Sequence, residues 1–552
     1  MKKINSFSKD YFFVLITLVF FTNIILAQTT TWDGSVWSNG LPDSTKDAVF
    51  TGNYISPSSI ATKSVSVLNS AQVTIASPHT LAVTDNITIV NGSKLTFENN
   101  ASLLQTNASA TNSGNINFKR NANPMVLYDY TYWSSPVANQ TLFDFSPLTA
   151  SDRYFSFNVT TNNWVNENSA NTMQPGKGFA IMAPQTYNAT LQIFNGEFIG
   201  VPNNGDITSE VVAFDTGLLN FNLLGNPYPS AISIPSLIDN TTLGTLYFWT
   251  HHTPITNNIF STNDYAIRTR NVGIQAYFGG PIPGDYISAG QGFFASSNET
   301  GTITFTNAMK VTDNNSQFYK SAQSSEIETQ FYYIWLNMTN EAGAFKQIAL
   351  GYEEGATDGY DFGTDALAVV GNEISFYSLV GDDAFVIQGR AYPWNLNDQI
   401  PLGYSTTING TFDITLDRND PFFDEQTIFI EDTLLEVFHN LKIGPYRFNT
   451  EIGIFNTRFK ILYFDPSLSN DAYSTVENSV IVSSKNKSIA VNSTLENINK
   501  IQIFDLLGKM IFEKNNINEK QCTISNLTAV NQALIIKIQL ETNQTIVKKL
   551  VY

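Results

Sequence analysis

The sequence predicts an all-β, multidomain protein, and three observations carry that expectation. Only 14% of the 552 residues are charged while 13% are aromatic. Asn, Ser, Thr and Gly recur between short apolar runs, as in strands joined by tight turns. Residues 64–107 hold an internal repeat, and prolines punctuate the middle of the chain densely enough to exclude long helices there. At about 150 residues per domain, the length allows several domains with ample core.

The first element is an address. Lys2, Lys3 and Lys9 precede an apolar run from Tyr11 to Leu26, which ends at Ala27-Gln28. A basic start, a short apolar stretch and a small residue at the junction predict a signal peptide over residues 1–27, cleaved between Ala27 and Gln28. Thr17, Thr22 and Asn23 interrupt the run, and no later segment approaches the roughly 20 apolar residues of a spanning helix. The mature chain is therefore expected to carry no transmembrane segment.

Residues 28–120 are expected to form a parallel β-helix-like module. The segment 64–85 aligns without gaps on 86–107, a period of 22 residues. Val65 and Val67 fall on Ile87 and Ile89, Val73 and Ile75 on Leu95 and Phe97, and Leu81 on Leu103. Three short alternating stretches per repeat fit three strands per coil, each coil burying its inner side chains against its neighbours. A β-sandwich with evenly spaced strands is the competing fold.

Residues 121–320 read as a duplicated, aromatic-rich β-region of sandwich type. Tyr132-Trp133-Ser134-Ser135-Pro136 is followed by Pro175-Gly176-Lys177-Gly178-Phe179. Later, Gly225-Asn226-Pro227-Tyr228-Pro229-Ser230 is followed by Gly290-Gln291-Gly292-Phe293-Phe294. A polar linker at 321–325 leads into a predicted β-sandwich over 326–466. Residues 475–552 form a last unit with nine Lys against six acidic residues, a sign opposite to the rest of the chain.

Composition also limits function. A formal net charge of −18 speaks against nucleic acid as a partner, because nothing would neutralise phosphates. The single cysteine, Cys522, rules out an internal disulfide framework and any Cys-cluster metal site. Asp358, Asp361 and Asp365, near Glu353 and Glu354 in a Gly-rich loop, are the candidate calcium ligands, since hard cations collect carboxylate and carbonyl oxygens. An acidic solvated turn is the plainer reading of that loop. No other cofactor is expected. His251-His252 on a strand would face opposite ways, and the formal G-x-G-x-x-A at 290–295 opens no helix. Trp133, Trp164, Trp249 and Trp394 are candidates for stacking on sugar rings, although most aromatics of a β protein fill its core.

The run Val480 to Val491, then Ile501-Gln502-Ile503-Phe504-Asp505-Leu506-Leu507-Gly508-Lys509, and the closing Thr545 to Tyr552 with Lys548-Lys549, resemble the C-terminal sorting domain of type IX secretion cargo. The usual Asn-Pro near the start is absent, and Gln532-Ala533-Leu534 stands where Gly-x-Tyr is common, so the resemblance is to the class ending in Lys-Lys-x-Val-Tyr. It implies an Ig-like sandwich over 475–552, with the sorting motif at Asp505, Gly508, Lys509, Lys548 and Lys549, read by the outer-membrane translocon. The segments 225–230, 290–294 and 355–361 resemble stretches of adhesin-like surface proteins of gliding Gram-negative bacteria. The combined expectation is an exported, cell-surface or secreted adhesin-like protein whose partners are the translocon and surface glycans. The alternative is a secreted polysaccharide hydrolase or lyase. The catalytic motifs G-x-S-x-G and H-E-x-x-H are both absent.

Overall fold

The computed structural model describes residues 28–215, 221–250, 264–277, 279–315, 331–368, 373–464, 479–485, 487–505, 508–525, 527, 533–542 and 544–552. The segment expected to be a signal peptide, with its Ala27 junction, and His251-His252 lie outside them. The chain is all-β, and it divides near residue 462 into two compact units.

The first unit opens with a parallel β-solenoid. Its three sheets stack strands from successive coils: Gln28–Trp32, Lys46–Phe50, Ser64–Val67 and Ile87–Ile89 in one, Ile60–Thr62, Thr80–Val83 and Ser102–Gln105 in the second. The third begins with Tyr54–Ile55, Gln72–Ile75, Lys94–Phe97 and Ile116–Asn121. The hydrogen-bonded register reproduces the sequence repeat: Val65 pairs with Ile87, Val73 with Leu95 and Leu81 with Leu103. Each strand alternates buried and less buried residues, so one side of every coil feeds a shared core. Asn69 and Ser70 turn a corner with φ of 56° and 59°, a region that short polar side chains tolerate.

Both ends are closed by aromatic side chains. Trp32, Trp37, Phe50 and Tyr54 pack at ring distances of 5.1 to 5.8 Å over the first coil. At the other end Asn195–Gly200 pairs antiparallel with Ile116–Asn121, so the parallel ladder stops. Phe198 there stacks on Phe145 at 4.3 Å, and Phe145 meets Trp133 at 4.9 Å. The solenoid core therefore runs unbroken into the region after residue 121.

That region contains two sheets with one strand order. In the first, Tyr130–Trp133, Phe179–Met182, Tyr154–Asn158 and Asn163–Asn166 are neighbours. In the second, Asn222–Gly225, Gly292–Ser297, Leu243–Trp249 and Tyr265–Arg268 take the same places, followed by Gly273–Ile274. A short helix follows the opening strand in each, Leu142–Phe145 and Ile234–Asp239, capped by Thr141 and Ser233 respectively. The 225–230 segment serves docking: the Pro229 carbonyl accepts the Leu103 amide at 2.8 Å, and fully buried Asn226 donates to Ser230 and Ile287 carbonyls.

Beyond residue 331 a long mixed sheet is centred on Phe331–Asn340, Phe345–Glu353 and Asp383–Ala391, the last two parallel. It turns back on itself over an aromatic core in which Tyr404, Phe448 and Phe459 touch one another. One folded-over sheet thus makes the sandwich-like layers.

The second unit holds a three-stranded sheet (Val480–Lys485, Ser488–Ser493, Gln521–Ser525) and a four-stranded one (Met510–Lys514, Ile498–Asp505, Ala533–Leu540, Thr545–Val551). Ile501, Ile503, Leu534, Ile536 and Ile538 alternate inward to form its core, and Cys522 is buried among them.

Candidate functional site

A cleft of about 800 Å³ opens between the second of the duplicated sheets and the folded-over sheet, within the size range of small-ligand sites. One wall carries Phe214, Phe221 and Tyr247; the other carries Tyr360, Tyr377, Asp382 and Asp383, with Ile452, Ile454 and Asn456 beside them. Phe221 packs on Phe214 at 5.1 Å and on Tyr247 at 4.6 Å, giving a continuous aromatic surface. Tyr377 donates to Asn456 Oδ1 at 2.9 Å, which fixes both side chains on the wall.

Local sequence places each group. Val380 pairs with Asp383 across a two-residue turn, and Gly381 supplies the positive φ of 61° that such a hairpin requires. The turn sets two exposed carboxylates side by side at the rim of the cleft. Burial raises the Tyr247 hydroxyl pKa, and it pushes that of Tyr360 up to about 12. Both phenols therefore stay neutral donors throughout the physiological range. Among the described lining residues there is no Lys, Arg or His.

The acidic Gly-rich loop is what holds Tyr360 there. Asp365 is buried, with one carboxylate oxygen accepting the Asp361 amide and the other the Gly389 amide, both at 2.7 Å. Asp361 accepts the Thr357 amide and hydroxyl. Asp358 points outward, 3.4 Å from Arg390. The loop is also tied to the second duplicated sheet: the Arg270 amide donates to the Gly363 carbonyl, and the Thr245 hydroxyl donates to the Asp365 carbonyl. Gly244 permits the ring of Phe362 to lie against the strand, since a Cβ there would come within 2.5 Å of it. Buried Glu353 accepts from Tyr333, Thr364 and Asn271.

Asp358, Asp361 and Asp365 are close in sequence, yet the structure does not gather them on one centre. Among the described residues no group of three or more His, Cys, Asp or Glu side chains is placed to hold a metal ion. Backbone amides engage both Asp365 oxygens, Thr357 engages one oxygen of Asp361, and Asp358 faces Arg390. Burial, outweighing those two amide bonds, pushes the Asp365 carboxyl up to about 7.

The four tryptophans diverge. Trp133 is buried in the solenoid-end core and stacks on no ligand-accessible face. Trp164 is 43% exposed on its edge strand and packs on Tyr132 and Phe157. Trp249 lies against Tyr132 and Tyr265 in the same aromatic cluster, which reaches the cleft through Tyr247 and Phe221. Trp394 stands edge-on to Phe422 and Phe423, away from the cleft. Asp382, Asp383 and Phe214 were missed by sequence reasoning, because a Gly-Asp turn and a single Phe carry no signal of their own.

In the second unit, Asp505 and Lys509 close a hairpin. The Lys509 amide donates to Asp505 Oδ1 at 2.9 Å and the Asp505 amide to the Lys509 carbonyl at 3.0 Å, with Gly508 at φ 83°. Lys548 and Lys549 lie on the last strand opposite Ile536 and Ile535. No helix among the described residues is long and apolar enough to cross a membrane.

No curated protein matches the chain. Among solved structures, a polysaccharide lyase is similar at 8% identity and a TM-score of 0.11, over 40% of this chain and 39% of that one. A Salmonella alpha-2-macroglobulin reacted with methylamine is similar at 9% identity and a TM-score of 0.13, over 78% of this chain and 31% of that one. The chain thus spans well under half the length of either, and likenesses this low bear on neither fold nor activity. Residues 468–552 match a family described as "Domain of unknown function (DUF8694)". Residues 27–463, most of the sequence, match another, and the chain belongs to that family, described as "Domain of unknown function (DUF8693)".

Proposed function

We propose that this protein is an exported, adhesin-like binding protein of the cell surface or surroundings, and that it holds glycans in the aromatic cleft. The observation that carries the reading is the cleft itself: rings from two modules line an opening of about 800 Å³ with carboxylates at its rim. C–H faces of sugars pack on aromatic faces, and their hydroxyls donate to carboxylate and amide oxygens. The basic start and the Ala27-Gln28 junction support export. The Asp505–Lys509 hairpin and the Lys548-Lys549 strand support a sorting role for residues 475–552, with the type IX translocon as partner.

The test is retention of the purified protein on immobilised polysaccharides, with released sugars assayed in the supernatant. Retention without release is expected. Released sugar would make the protein a polysaccharide-acting enzyme, and no retention on any polymer would refute the glycan reading. For the export half, a chain lacking residues 475–552 should remain in the periplasm; its normal surface exposure would overturn the sorting role.

A further inference from the structure

The charge of the cleft narrows its ligand. We infer that the cleft selects glycans free of acidic groups and rejects polyuronates and sulfated chains, an inference that rests on the cleft being the glycan site. Asp382 and Asp383 are both exposed and adjacent at the hairpin tip that rims the opening. The described lining offers no cation to pair with a sugar carboxylate or sulfate. Tyr360 and Tyr247 stay protonated, so they donate to hydroxyls without adding charge that would attract or repel. The surroundings do not offset the rim, since residues 28–474 are strongly acidic in sum. An anionic chain entering the cleft would therefore bring like charges together at short range, which costs several-fold in affinity at low salt. A neutral or amino-bearing chain meets no such barrier. The same feature disfavours uronate cleavage by β-elimination in this cleft: that chemistry abstracts the proton α to the uronate carboxylate and expels the 4-O-glycosyl group, and it needs a positive charge on that carboxylate.

Affinity electrophoresis of the full protein tests this with a neutral glucan, a neutral mannan and chitosan set against alginate and polygalacturonate. Retardation by members of the first group, with none by the second, is expected at low salt, where repulsion is least screened. Tyr360→Ala should weaken retardation at least tenfold. Asp382→Lys combined with Asp383→Lys lies at an exposed turn and should gain retardation by polygalacturonate. Equal retardation of the unaltered protein by polyuronates would overturn the selectivity while leaving glycan binding intact. Absence of retardation by any polymer would overturn the glycan reading beneath it. Glycan retardation that Tyr360→Ala leaves unchanged would move the site away from this cleft and so refute the inference.

Discussion

Lys310 offers the sharpest physical test of how the solenoid and the second duplicated module are joined. Its ammonium is buried over the Tyr228 ring at 4.2 Å, with Asn204 Oδ1 at 3.1 Å and the Gln105 carbonyl at 3.4 Å as acceptors. Burial lowers its pKa from 10.5 to about 7. The unfolded chain therefore holds this proton up to high pH while the native state releases it near neutrality. With more protons bound in the unfolded state, stability rises with pH through the window from about 7 to 10.5. Between pH 7 and pH 9 the contribution is about 2 kcal/mol. Lys310→Met keeps the length of the side chain and removes the titration. Urea unfolding followed by tryptophan fluorescence at a series of pH values between 6 and 9.5 should give the unaltered protein a rise that the variant lacks. Lys346, buried and lowered to about 8, is common to both proteins and cancels in the difference. Parallel stability curves for the two proteins would refute the claim that Lys310 is buried with its charge disfavoured.

Three further outcomes follow from the same structure. Leu95 is fully buried in the middle of a ladder between Val73 and Ile116, so Leu95→Ala should cost about 3 kcal/mol in urea unfolding; a loss below about 1 kcal/mol would contradict a packed solenoid interior. Asp365 behaves oppositely to Lys310: its native pKa of about 7 exceeds the ordinary 3.8, so the native state holds the extra proton and stability falls as pH rises between those values. Asp365→Asn should flatten that slope, and an unchanged slope would refute the assignment. Because amide donors already engage Asp361 and Asp365, melting temperatures in calcium and in chelator should coincide; a rise of several degrees in calcium would establish the loop as a cation site.

How much of this was legible in the sequence depended on whether the determining contacts were local or periodic. The solenoid was legible because its register is the repeat: a 22-residue offset that puts Val73 over Leu95 in an alignment puts them side by side in the ladder. The Asp505–Lys509 turn was legible because the bonds that close it link residues at most four positions apart. Trp133 was misjudged because nothing in its neighbourhood announces Phe145 and Phe198, the rings that bury it. The Gly-rich loop suggested oxygen ligands by composition alone. Composition could not show that Asp361 and Asp365 accept backbone amides, one of them from Gly389 on another strand.

The cleft was illegible for a stronger reason. Its walls come from segments more than two hundred residues apart, Phe214 and Asn456 at the extremes, and each piece alone is an ordinary strand end or turn. What joins them is the loop through Phe362 and Gly363, seated on Gly244 and bonded to Arg270, so the position of Tyr360 depends on packing between modules. The acidic loop is thus also the strut that positions one wall of the cleft. The geometry of the cleft exists only when the two sheets are docked, so it belongs to that junction and not to any single motif.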